Sequence, residues 1–65
     1  MQLCVNGETK DVSAQTLAEA VANLGYTGKQ FAVAVDGAFV PRHQHESFAL
    51  AGGERLEILA PMQGG

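Results

Sequence analysis

Two dipeptides constrain this chain more than anything else in it: Asn6-Gly7 and Asp36-Gly37, each set between short, alternating apolar runs. A type I′ turn needs φ > 0 at both central residues. Asn or Asp followed by Gly tolerates this, and the resulting turn matches the right-handed twist of the strands that it joins. Leu3 and Val5 alternate with Gln2 and Cys4 before the first turn, and Glu8 to Val12 follows it as a return strand. Phe31-Ala32-Val33-Ala34-Val35 leads into the second turn, and Ala38-Phe39-Val40 returns from it until Pro41 ends the ladder. The chain therefore contains two β-hairpins. Glu8, Lys10 and Asp11 charge the second strand, as suits an exposed sheet edge that must not pair with other molecules.

Between the hairpins, Thr16-Leu17-Ala18-Glu19 has the form of a capping box. The Thr16 hydroxyl is expected to accept from the Glu19 N–H, and the Glu19 side chain to reach back to the Thr16 N–H. Leu17, Ala20, Val21 and Leu24 recur at i, i+3, i+4 and i+7 as one apolar stripe, and Gly25 stands where a left-handed residue ends a helix. Tyr26 to Gln30 reads as the connection to the second hairpin. Phe31, Val33 and Val35 share the face expected to meet the helix, while Ala32 and Ala34 leave the opposite face smooth. Arg42 to Leu50 is irregular, with Phe48 and Leu50 as core anchors, and Ala51-Gly52-Gly53 turns the chain into a last strand over Glu54 to Ala60. There Leu56 and Ile58 alternate with Arg55, Glu57 and an outward Leu59.

A hairpin, a helix, a hairpin and a final strand make an α+β fold with one helix across one sheet. Burying Leu56 and Ile58 is best done at the sheet centre, and the right-handed crossover through the helix leaves a slot there, between the hairpins. The expected order is 2-1-5-3-4, with the last strand parallel to the first. This is a mixed five-stranded β-grasp sheet. Residues 1–60 are expected to form this domain and 61–65 a flexible tail. The expected core is Leu3, Val5, Leu17, Val21, Leu24, Val33, Val35, Leu56 and Ile58.

Composition narrows the function classes. The formal charge is −3, and Lys10, Lys29, Arg42 and Arg55 form no run, which argues against a nucleic-acid surface. One cysteine allows no internal disulfide. No basic leader or long apolar run follows Met1, so a cytoplasmic location is expected.

The end of the chain is Ala60-Pro61-Met62-Gln63-Gly64-Gly65. Pro61 has no N–H to give to a ladder, so pairing should lapse near Ala60. The five residues after it, counted from Pro61, can reach roughly 17 Å at about 3.4 Å each, enough to enter another protein's pocket. Gly64 and Gly65 carry no Cβ, so they pass through narrow channels and leave the terminal carboxylate unshielded. That carboxylate, with a reference pKa of about 3.3–3.7, is ionised at neutral pH and suited to attack an activated phosphate.

Leu3-Cys4-Val5-Asn6-Gly7, Gln15-Thr16-Leu17-Ala18-Glu19, Val33 to Arg42 with its closing Val-Pro-Arg, and the final Gly64-Gly65 together resemble the ThiS family, the sulfur carriers of thiamin biosynthesis. The resemblance spans the whole chain. Where the family commonly has an aromatic or similar residue shortly after Val-Pro-Arg, this chain has His43-Gln44-His45-Glu46. The resemblance implies that an E1-like adenylyltransferase, ThiF, adenylates Gly65 with ATP. Sulfur from a cysteine desulfurase or persulfide protein then gives a thiocarboxylate, which thiazole synthase, ThiG, consumes. Met62, Gln63, Gly64 and Gly65 would be the segment that these enzymes recognise. The carrier would bind no cofactor and catalyse nothing.

Other readings exist for several residues. His43, His45 and Glu46 hint at a metal, yet structural zinc takes four protein ligands, and two solvated loop histidines are expected instead. Cys4 has no cationic neighbour in sequence to activate it, so it reads as an inert strand cysteine. Gly52-Gly53 lacks the spacing and the Lys-Ser/Thr of a phosphate loop. The small subunit of molybdopterin synthase also ends in Gly-Gly on this fold but is usually longer. A β-grasp interaction module with an idle tail is the alternative from another functional class.

Overall fold

The computed structural model of the chain describes residues 1–26 and 31–60. Strands β1 (Gln2–Val5) and β2 (Glu8–Asp11) form the first hairpin, and β3 (Ala32–Val35) and β4 (Ala38–Val40) the second. Helix α1 (Leu17–Asn23) lies between them, a short 3-10 turn spans Arg42–Gln44, and β5 (Arg55–Leu59) closes the sheet. The order is β2-β1-β5-β3-β4, with β5 parallel to β1 and antiparallel to β3. This is the expected β-grasp arrangement.

Both hairpin turns have the backbone that their dipeptides call for. Asn6 and Gly7 have φ of 50° and 87°, and Asp36 and Gly37 have φ of 51° and 88°, positive at both central residues as a type I′ turn requires. The element ends fall slightly inside the sequence-based ranges. Strand β2 stops at Asp11, because Val12 leaves the edge to enter the core, and its N–H is taken by the Met1 carbonyl at 2.7 Å. Phe31 stands just before β3, and β5 ends at Leu59, two residues before Pro61.

Every N–H of the first helical turn has a partner, which accounts for where the helix begins. Leu17 donates to the Phe48 carbonyl (2.9 Å), Ala18 to the His45 carbonyl (3.0 Å), Glu19 to Thr16 Oγ1 (3.3 Å) and Ala20 to the Thr16 carbonyl (3.0 Å). The capping box differs from expectation in one half. Glu19 Oε1 accepts from Gln15 N–H at 2.7 Å instead of from Thr16, so the acidic side chain secures the residue before the cap. At the other end Tyr26 N–H reaches the Val21 carbonyl and Gly25 N–H the Ala22 carbonyl, with Gly25 at φ 94°, which together make a Schellman motif.

Leu17, Ala20 and Val21 pack the helix onto Leu3, Val5, Val33, Val35, Leu56 and Ile58, all buried, and Val12, Val40 and Leu50 complete the core. Leu24 is half-buried rather than fully covered: it is the C-cap residue, where the helix ends and the stripe reaches the margin of the sheet. Among the described residues no helix is long and apolar enough to cross a membrane.

Candidate functional site

Gly65, the expected site of the chemistry, and Met62, Gln63 and Gly64, expected with it as the recognised segment of the 61–65 tail, lie outside the described residues. What the structure does describe is the strand that delivers them. Strand β5 is the central strand, and three sets of contacts fix it. On one side Cys4 and Asn6 donate their backbone N–H groups to the Glu54 (3.0 Å) and Leu56 (2.9 Å) carbonyls. On the other, the pairs Ala32↔Leu59 through Val35↔Leu56 join it to β3.

The third set comes from the two hairpin turns. Strand β1 ends at Val5, opposite Leu56, so the rest of β5 on that side has no strand beside it. The Asn6 side chain fills the gap: Nδ2 donates to the Ile58 carbonyl (3.2 Å) and Oδ1 accepts from Ile58 N–H (2.8 Å). The carboxamide turns one N–H donor and its carbonyl oxygen to Ile58 much as a peptide group would, so it extends the ladder by one step. At the start of β5, Asp36 Oδ1 accepts from Arg55 N–H (2.9 Å), and Asp36 N–H donates to the Arg55 carbonyl (2.7 Å). Reading Asn6 and Asp36 as turn residues captured their backbone but missed these bonds. Their partners are 52 and 19 residues away in sequence, and no local pattern signals them.

The sheet face away from the helix is open. Phe39 and Leu59 are 66% and 75% exposed, with the half-buried Ala32 and Ala34 between them in the register Phe39↔Ala34 and Ala32↔Leu59. The expected smooth, outward face is therefore bounded by two large apolar side chains. Arg55 and Glu57 lie on the same face of β5, and Leu59 is its last residue before the tail.

Cys4 is half-buried on this face, held in β1 between Thr9 and Arg55 in the ladder. The two histidines differ in burial. His43 is exposed, whereas His45 is 4% exposed, which corrects the expectation of two solvated loop histidines. His45 Nε2 lies 3.0 Å from the Val40 carbonyl, at the point where Pro41 ends β4. A carbonyl only accepts, so Nε2 carries the proton. The ring also packs near Phe31 (centroids 6.1 Å), which Tyr26 approaches at 6.0 Å and over which the Arg42 guanidinium stacks at 4.4 Å. His45 thus belongs to the packing that supports Phe31, the residue immediately before β3. Among the described residues, no three His, Cys, Asp or Glu side chains come together in a way that could hold a metal.

The sequence model of the ThiS family matches residues 3–65, from β1 through the terminal Gly64-Gly65. The chain belongs to the ThiS family. Its fold is that of the crystal structure of a thiamine biosynthesis protein (ThiS) from Geobacter metallireducens, with a TM-score of 0.80 and 25% sequence identity over 100% of both chains. None of the curated proteins matches. For a ThiS-family chain, the length of the match matters as much as its existence, because it takes in both the β-grasp body and the tail that the body holds.

Proposed function

We propose that this chain is a sulfur carrier of thiamin biosynthesis and that its chemistry takes place at Gly65. The observation that carries this reading is the family match, which runs to the last residue. An E1-like adenylyltransferase of the ThiF type binds ATP, and an oxygen of the Gly65 carboxylate attacks the α-phosphorus. Pyrophosphate leaves and an acyl adenylate forms. The terminal sulfur of a persulfide, supplied by a cysteine desulfurase or a persulfide protein, then attacks the acyl carbon and AMP departs. A thiol cleaves the remaining S–S bond, leaving a thiocarboxylate on Gly65. Thiazole synthase of the ThiG type takes that sulfur.

The division of labour follows from the parts. Glycine at both terminal positions lets the backbone pass a narrow channel, and no Cβ hinders approach to the acyl carbon. Met62 and Gln63 give the enzymes side chains to grip before the reacting end. The open face with Phe39 and Leu59 adjoins the start of the tail, so an activating enzyme that draws in residues 61–65 meets an apolar surface at the channel mouth. In this reading the chain is a protein co-substrate that works in the cytoplasm, and ATP belongs to the activating enzyme. The similarity to a thiamine biosynthesis protein supports the thiazole route over the molybdopterin one.

The test is ATP–pyrophosphate exchange by a ThiF-type enzyme in the presence of the purified chain. The full chain is expected to support exchange, and a chain lacking Gly65 to reduce it to background. Equal exchange from both would point to an interaction module with an idle tail.

A further inference from the structure

We infer that Asn6 is a positioning residue for the reaction at Gly65: its carboxamide holds the last residues of β5 and so sets where, and in which direction, the tail departs. The inference rests on the proposed function. Its structural basis is the asymmetry of β5. At Leu56 the strand has a neighbour on each side, but beyond Leu56 the β1 side is empty of strand. The two hydrogen bonds from Asn6 to Ile58 are what fill that side, at 2.8 and 3.2 Å. Without them the segment from Glu57 to Leu59 keeps only its ladder to β3 and the burial of the Ile58 side chain. Leu59 and Ala60 are both exposed, so burial does not hold them in its place.

Asp36 supplies an internal control. It too is the first central residue of a type I′ turn, and its side chain also bonds the β5 backbone, at Arg55. That bond lies at the opposite end of the strand from the tail. Glycine accepts the positive φ at both positions, so Asn6→Gly and Asp36→Gly each keep the turn and delete only the side-chain bonds. Asn6→Asp is sharper still. It preserves the turn and the acceptor for Ile58 N–H, but it exchanges the Nδ2 donor for a carboxylate oxygen facing the Ile58 carbonyl, which repels it.

Two measurements on the full chain test the inference. In amide hydrogen exchange, Asn6→Gly and Asn6→Asp are expected to speed exchange at Leu59 and Ala60, while Asp36→Gly leaves those two amides at the wild-type rate. In steady-state adenylation by the activating enzyme, both Asn6 variants are expected to raise KM for the carrier on the order of tenfold with kcat within about twofold, because a chain whose β5 end is loosely held is in the binding-competent arrangement less often but reacts normally once seated. Asp36→Gly should leave KM unchanged even though it also loses stability. Equal KM values for all variants, or equal increases for Asn6→Gly and Asp36→Gly, would overturn the inference. If the wild-type chain itself is not adenylated, it is the proposed function that fails.

Discussion

Glu54 shows how much a single side chain settles in a chain this short. Its Oε2 accepts from Ala51 N–H at 2.7 Å and its Oε1 from Gly52 N–H at 2.8 Å, closing the turn that feeds β5. The Ala51 N–H above all, aided by that of Gly52, holds the Glu54 carboxyl below the usual carboxylate range, against some desolvation and the charge of Asp36. A carboxylate whose folded pKa is depressed contributes stability in full above its unfolded pKa of about 4.3, and loses it as the pH falls through the lower folded value. Glu54→Gln is therefore expected to lower the urea midpoint at pH 7, with the difference from wild type narrowing progressively below about pH 4. A difference that stays constant into acid would mean that the charge on Glu54 does not matter. The sequence reads Glu54 as the first residue of the last strand, whereas it stands in the turn just before β5, where its bonds depend on the Ala51 and Gly52 amides that the turn brings to it. His45 was legible as a histidine in an irregular segment, and its burial was not. Nothing periodic surrounds it, and the contact that its ring makes, Nε2 against the Val40 carbonyl, follows no local pattern.

The elements themselves were far easier to read. Two type I′ dipeptides, one 3.6-residue stripe and one alternating strand specify five strands and a helix, because each pattern is local and each is bounded by Gly or Pro. The helix illustrates the limit. Thr16 and Gly25 mark its ends in sequence, yet two of its first N–H groups are satisfied by the carbonyls of His45 and Phe48, contributed by a segment with no regular pattern. The stripe carries most of the energy. Leu17 is fully buried, as are Leu3, Leu56 and Val33 beneath it. Leu17→Ala is expected to cost about 2–5 kcal/mol through lost burial and a residual cavity, in a domain of a size that often has only about 3–5 kcal/mol in total. Equilibrium urea unfolding should show the variant mostly unfolded or molten at 25 °C. A loss under about 1 kcal/mol would mean that the helix is not seated on the sheet as described.

At the scale of the whole molecule, the β-grasp order places the last strand at the centre of the sheet, between the two hairpins. That order follows from the need to bury Leu56 and Ile58 between two hairpins, and it puts the strand that precedes residues 61–65 in the middle of the sheet, paired on both sides. Sulfur has two conceivable addresses in such a chain. Cys4 is bonded into β1, with β2 on one side and β5 on the other, and cannot enter another enzyme's pocket without unfolding the sheet. Gly65 lies five residues past the last described residue, Ala60, and an acyl adenylate there couples ATP cleavage to sulfur loading, whereas a persulfide on Cys4 needs only exchange with a donor. Cys4→Ser is accordingly expected to load sulfur as well as wild type. The most direct measurement is intact-mass analysis, with fragmentation, of the chain after incubation with a ThiF-type enzyme, ATP and a sulfur donor. Replacement of one oxygen by sulfur, located on Gly65 and dependent on ATP, is the expected result; added mass on Cys4, or loading without ATP, would contradict it.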